Sequence, residues 1–151
     1  MAYRMAIIGF GGMGSWHYNE VTKKVKGITI KGAFDIMQEA KDKINNYGLY
    51  CYSSAEEIYN DSEIDVVLIA VPNDMHKAYS IACLNAGKNV ICEKPVTMNS
   101  AALEEILAVH KKSGRFFTVH HNRRWDSDYL TIQKIISEGI LHTPYTIDSQ
   151  L

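Results

Sequence analysis

Near the amino terminus the residues Gly9-Phe10-Gly11-Gly12-Met13-Gly14 have a spacing suited to holding phosphate rather than to side-chain catalysis. In a G-x-G-x-x-G run the first glycine permits a tight turn and the second lets backbone come within hydrogen-bond reach of a pyrophosphate. The third lets a helix pack closely against a strand. The run follows the apolar segment Met5–Ile8 and opens a helical pattern, the context in which the motif has physical meaning. Free N–H groups and the positive dipole end at the helix start would attract a dianion without any basic side chain. A purely structural turn is the competing reading of the glycines.

A carboxylate closes the second apolar run, Ile28-Thr-Ile-Lys-Gly-Ala-Phe-Asp35, about 20 residues beyond the glycines. At that position Asp35 can accept hydrogen bonds from the ribose hydroxyls of an adenosine and would repel a 2′-phosphate. Ile36-Met37-Gln38 supply no arginine to clamp such a phosphate, so NAD is favoured over NADP, with Ile36 beside the ribose. Asp35 can also cap the following helix, a role compatible with the first.

Short apolar runs rich in β-branched residues alternate with longer segments of helical spacing, the pattern of βαβ units. Strands are expected at Tyr3–Phe10, Ile28–Asp35, Asp65–Val71, Asn89–Glu93 and Phe116–His120, with a weaker one at Tyr50–Tyr52. They are apolar on both faces, as a parallel sheet covered by helices requires. Helices are expected at Gly14–Val25, Met37–Tyr47, Ala55–Tyr59, Met75–Ala86 and Ser100–Lys112, with Gly27, Gly48, Gly87 and Gly114 as C-terminal caps. The fold class is therefore α/β, a Rossmann-type doubly wound parallel sheet, with its crevice at the carboxyl ends of the strands where the strand order reverses.

The 151 residues suffice for one core, and the formal net charge of -1 offers no electrostatic footprint for nucleic acid or an anionic membrane. The expected partner is a small molecule. Cys51, Cys83 and Cys92 have no C-x-x-C spacing and fall in apolar runs, which reads as buried free thiols in a reducing compartment. No segment approaches membrane-spanning length and the first residues do not resemble a leader, so a cytoplasmic location is expected. His17, His110, His120, His121 and His142 show no metal-ligand spacing, and no metal site is expected.

Two further segments follow strand ends: Val71-Pro72-Asn73-Asp74-Met75-His76, and Ala86-Gly87-Lys88-Asn89-Val90-Ile91-Cys92-Glu93-Lys94-Pro95. Together with the glycine run and Asp35 they resemble the Gfo/Idh/MocA oxidoreductases, which include inositol dehydrogenases and glucose–fructose oxidoreductase. His121-Asn122-Arg123-Arg124-Trp125-Asp126 and Glu138-Gly139-Ile140-Leu141 resemble the family's passage out of its nucleotide domain. The resemblance implies a nucleotide domain over residues 1–121. Residues 122–151 would then be linker, helix and the first strand, from Pro144, of a substrate domain that is absent. Family members run to more than twice this length, so the chain is expected to be the front part of such a protein. His142 departs from the pattern, which commonly has a glycine there.

The resemblance assigns site roles residue by residue. Lys94 follows the fifth strand, where its ammonium could polarise a substrate hydroxyl as hydride leaves the carbon, making it the expected catalytic residue. The proton would pass to a histidine, assisted by an aspartate, in the absent domain. The family's counterparts imply that Glu93 lies at the nicotinamide end and orients Lys94 or a ribose, with a structural ion pair as the alternative. They place Val71, Pro72 and Asn73 along the cofactor, near its nicotinamide ribose. His76, three residues on from Asn73, is counted with the cofactor residues, although a lone helical histidine is more often structural. Arg123 is either a substrate contact or part of a linker.

The resulting expectation is an NAD-dependent dehydrogenase domain whose complete form acts on a secondary alcohol of a polyol or sugar-like compound, as a homo-oligomer. The isolated domain would bind cofactor without efficient turnover. A dinucleotide-binding sensor of the same fold is the alternative. The apolar face of the helix at Tyr129–Glu138 and a strand at Tyr145–Leu151 with an open edge predict self-association.

Overall fold

The computed structural model describes residues 2–140 and 143–148. Six strands form one parallel sheet: β1 (Tyr3–Ile8), β2 (Ile28–Phe34), β3 (Tyr50–Cys51), β4 (Val66–Ile69), β5 (Asn89–Cys92) and β6 (Phe117–Val119). Their order is β3-β2-β1-β4-β5-β6, so the winding reverses between β1 and β4. The intervening helices are α1 (Gly12–Lys24), α2 (Gln38–Asn46), α3 (Ala55–Asn60), α4 (His76–Asn85) and α5 (Ser100–Ser113), and α6 (Ser127–Ser137) follows β6.

Both sheet faces are buried, which is why the strands read as continuous apolar runs. Met5, Ile7, Ala33 and Leu68 pack with Ala40 and Ile44 of α2 and Tyr18 of α1 on one face. Ala6, Ile8, Val67, Ile69, Val90 and Cys92 pack with Ile58, Leu84 and Ile106 of α3, α4 and α5 on the other. Side-chain alternation along a strand therefore decides which helices a residue meets.

The carboxyl ends are in register, since Ile8 pairs with Phe34 and Ile69, Ile69 with Cys92, and Cys92 with Val119. The next residue of each strand, Asp35, Gly9, Ala70, Glu93 and His120, thus lies along one edge. Backbone bonds continue one step beyond the strands, from Gly9 N to Phe34 O (2.8 Å), Ala70 N to Ile8 O (2.8 Å), Glu93 N to Ile69 O (3.0 Å) and His120 N to Cys92 O (2.8 Å). That row is the frame of the site.

The elements expected up to His120 are present with ends that differ by a residue or two, most of them shorter, while α3 and α5 each run one residue longer. The helix after the glycines begins earlier than expected, at Gly12, and Met75 belongs to a 3₁₀ turn (Asn73–Met75) that leads into α4. Gly114 ends α5 with φ +65°, in the left-handed region that glycine adopts without penalty. Cys83 and Cys92 are buried free thiols whose pKa values burial pushes up to about 12 and about 11, whereas Cys51 is only half-buried. No helix of the described residues is long and apolar enough to cross a membrane.

The chain divides into two compact units, Met1–His120 and His121–Leu151. In the second, α6 exposes Tyr129, Leu130, Ile132 and Ile136. The strand expected at Tyr145–Leu151 is not formed at 143–148, and its remaining residues, like His142, lie outside the described ones. Among the described residues, Pro144–Asp148 has no ladder partner that would organise a strand.

Candidate functional site

Gly9, at the end of β1, has φ +89°, and a Cβ there would lie 2.5 Å from Ala70 O across the reversal point. Gly14, in the first turn of α1, approaches so closely that its Cβ would sit 2.0 Å from Gly9 O. These two glycines are required by the fold itself. Gly11 and Gly12 differ, because nothing lies within 4 Å of a Cβ built on either. Their lack of side chains leaves open space in front of α1. Gly11 is the N-cap of that helix, with no side-chain cap and no acidic residue in the first turn. The helix start therefore presents N–H donors and a positive dipole end to that space.

Asp35 stands beside it. Its Oδ2 accepts the Phe10 N–H at 2.7 Å and its Oδ1 accepts the Met37 N–H at 2.9 Å, so one carboxylate ties the glycine loop to the start of α2. Each oxygen keeps a further lone-pair direction for a ligand hydroxyl. A cavity of about 640 Å³ opens from this point, lined among others by Gly9, Gly11, Met13, Asp35, Ile36, Val71 and Pro72. Met37, Met75 and Tyr79 complete its apolar walls. The last three were not singled out from the sequence. An apolar run before a helix does not reveal which side chains turn toward a crevice.

Four residues counted with the cofactor residues make structural contacts, the role that the sequence also allowed for Gly14, His76 and Glu93. The Phe10 ring is fully buried and packs edge-on against Tyr18 and Tyr47, so only its backbone serves the loop. Gly14 is buried against Gly9 and packs helix on strand. His76 is fully buried, its Nδ1 2.7 Å from Pro95 O and its Nε2 2.9 Å from Val71 O. Both ring nitrogens face backbone carbonyls, so no nitrogen is left for a ligand, and the imidazole joins the loops after β4 and β5.

Glu93 is the fourth. Its neighbours on β5 alternate, with Val90 and Cys92 facing α4 and α5, so Ile91 and Glu93 face α1. Its carboxylate is buried, and its Oε1 accepts His17 Nε2–H at 2.6 Å and His120 Nδ1–H at 2.8 Å. Its Oε2 accepts the Lys94 N–H at 3.2 Å. Burial opposes the charge on Glu93, but the His17 hydrogen bond and the nearby His120 more than offset it, and the carboxyl pKa is lowered. Burial lowers the pKa of His17 against the opposing pull of Glu93. The three side chains have metal-ligating chemistry and lie within 4.8 Å of one another, although no sequence spacing joins them. The carboxylate oxygen is occupied by two N–H donors, so the geometry is that of a hydrogen-bonded triad.

Lys94 and Asn73 are exposed at the same edge, and neither lines the 640 Å³ cavity. The peptide bond from Lys94 to Pro95 is cis. Arg123, in the second unit, is exposed with Nη1 3.4 Å from Asp126 Oδ2.

A family model described as "Oxidoreductase family, NAD-binding Rossmann fold" matches residues 3–121. The chain belongs to the Gfo/Idh/MocA oxidoreductase family. It is 44% identical over 86 residues to scyllo-inositol 2-dehydrogenase (NADP(+)) of Bacillus subtilis, covering 57% of this chain and 24% of that protein. Among solved structures, an NAD-binding protein from Listeria innocua superposes with TM-score 0.88 at 43% identity, over 91% of this chain and 41% of that one. A myo-inositol 2-dehydrogenase from Lactobacillus plantarum superposes with TM-score 0.87 at 28% identity, over 94% of this chain and 43% of that one. The chain spans less than half the length of these relatives.

Proposed function

We propose that this chain is the nucleotide-binding part of an NAD(H)-dependent dehydrogenase that oxidises a secondary alcohol of a polyol or sugar-like substrate. The observation that carries the reading is the open space at Gly11, in front of an uncapped helix and beside the Asp35 carboxylate. A Cβ would fill a place that the fold leaves free, which fits a pyrophosphate drawn in by backbone N–H groups. Asp35 then accepts the ribose hydroxyls of the adenosine, and the apolar walls of Ile36, Met37, Met75 and Tyr79 cover its base.

The choice of NAD over NADP rests on Asp35, whose charge opposes a 2′-phosphate, and on the absence of arginine in Ile36-Met37-Gln38. The Bacillus subtilis relative carries NADP(+) in its name, so the preference must be measured on this chain.

Bound nicotinamide supplies the hydride acceptor of the reaction. Lys94 holds the substrate hydroxyl and stabilises negative charge developing on its oxygen. Asn73 and the Val71–Pro72 backbone flank the nicotinamide ribose, and Arg123 is a candidate substrate contact. A polyol substrate is supported by the inositol dehydrogenases among the relatives. The proton-accepting histidine would belong to the part of the relatives that this chain does not span, as would the surface that makes a homo-oligomer. Calorimetric titration with NAD, NADH and NADPH tests the reading. NADH binding tighter than NADPH supports it, and the absence of any nucleotide binding overturns it.

A further inference from the structure

Glu93 follows β5 and His120 follows β6, on two strands in parallel register, and both side chains alternate onto the α1 face. His17 lies in the second turn of α1, just beyond the glycine loop. The triad therefore joins the nucleotide-facing helix to the ends of β5 and β6. Glu93 and His17 are buried and His120 is partly buried, with the His17 and His120 centroids 4.4 Å apart and the Trp16 ring at 5.1 and 5.8 Å from them. With both histidines donating to Oε1, the plane of the carboxylate is fixed and Oε2 is directed at the Lys94 N–H. A single acceptor held by two N–H donors from separate elements has little rotational freedom, and charge-assisted bonds of this kind are the stronger class.

From this juxtaposition we infer that His17 and His120 are positioning residues, which act through Glu93 to fix the Lys94 turn relative to the cofactor helix. The inference rests on the proposed placement of Lys94 at the nicotinamide end. Neither histidine touches substrate or cofactor in this scheme. The required chemistry is an N–H donor on each side of the carboxylate, with no need for the imidazole to ionise. The substitution His17→Gln retains a donor at the position of Nε2, and His120→Asn retains one at the position of Nδ1, whereas leucine at either position removes it.

The test uses this chain in ¹⁵N-labelled form, with wild type, His17→Leu, His120→Leu, His17→Gln and His120→Asn compared by amide hydrogen exchange and NADH-induced chemical-shift changes. Loss of one hydrogen bond to a carboxylate is expected to accelerate exchange of the Lys94 amide about tenfold in each leucine variant. The core amides of β1 and β4 should stay within about twofold of wild type. NADH should shift Gly11 in every variant, while its shift at Lys94 should shrink in the leucine variants and stay close to wild type in His17→Gln and His120→Asn. Uniform acceleration of all amides would mean a merely structural role and overturn the inference, as would a Lys94 signal indifferent to both leucine substitutions. Failure of NADH to shift either Gly11 or Lys94 in wild type would overturn the nucleotide reading, and this inference with it.

Discussion

Replacing Asp35 with alanine should destabilise the fold even without nucleotide, because the carboxylate serves two backbone donors. The Phe10 N–H belongs to a fully buried residue and loses its acceptor at 2.7 Å. Leaving such a donor unsatisfied costs about 1–3 kcal/mol. The Met37 N–H, at the start of α2, loses an acceptor at 2.9 Å, and loss of a cap-like bond there costs about 1 kcal/mol. The sum of about 3 kcal/mol corresponds to a Tm lowered by about 6–12 °C in a domain of this size. Asparagine retains one acceptor oxygen and should fall between wild type and alanine. Thermal unfolding followed by circular dichroism measures all three proteins. An Asp35→Ala variant within about 2 °C of wild type would refute the view that this carboxylate secures the glycine loop. Any loss of nucleotide affinity must be measured well below the variant's Tm, so that it reports the ribose contact and not a melted loop.

Gly14→Ala places a Cβ 2.0 Å from Gly9 O, which is backbone and cannot turn aside, so urea titration should show a loss of about 3 kcal/mol or more. His76→Leu leaves Pro95 O and Val71 O without the imidazole between them, and the same titration should show a loss of about 1–3 kcal/mol, with less than about 0.5 kcal/mol counting against the clamp. The lowered pKa values of His17 and Glu93 set the sign of the acid response. Each folded-state pKa lies below its unfolded value, so each group's contribution is fully present above the unfolded pKa and lost as pH falls through the folded one. For His17 the loss begins below about pH 6.5, at no more than about 1.4 kcal/mol per pH unit, and for Glu93 below about pH 4.3. His17→Gln should flatten the upper part of that curve in unfolding measured from about pH 7.5 to 5, and an unchanged slope would contradict the assignment to His17.

Much of the fold was legible because its signals are local. Apolar runs bounded by glycines mark strands and helices within a few residues of their true ends. The Gly9–Gly14 run and Asp35 describe a strand-turn-helix unit whose parts are near in sequence. The triad was not legible, since His17 and Glu93 are 76 positions apart and Glu93 and His120 are 27 apart. Only the strand register and the face covered by α1 bring them together, and neither is encoded in a spacing. Phe10 and His76 show the converse. Both sit within motifs expected to touch a cofactor, but the turn after β1 carries the Phe10 ring onto the face of Met5 and Ile7, and the inward face of α4 buries His76. The 143–148 segment carries apolar residues suited to a strand but has no neighbouring strand to pair with among the described residues.

Calorimetric titration of NADH into Gly11→Ala, beside wild type, tests most directly whether the glycine loop holds a dinucleotide. Nothing lies within 4 Å of the added methyl group, so the variant should fold with a Tm close to that of wild type. If the pyrophosphate occupies the free space at Gly11, the methyl group collides with it and affinity falls at least about tenfold, the effect of roughly 1.4 kcal/mol. A folded Gly11→Ala protein that binds NADH as tightly as wild type would contradict that placement of the cofactor.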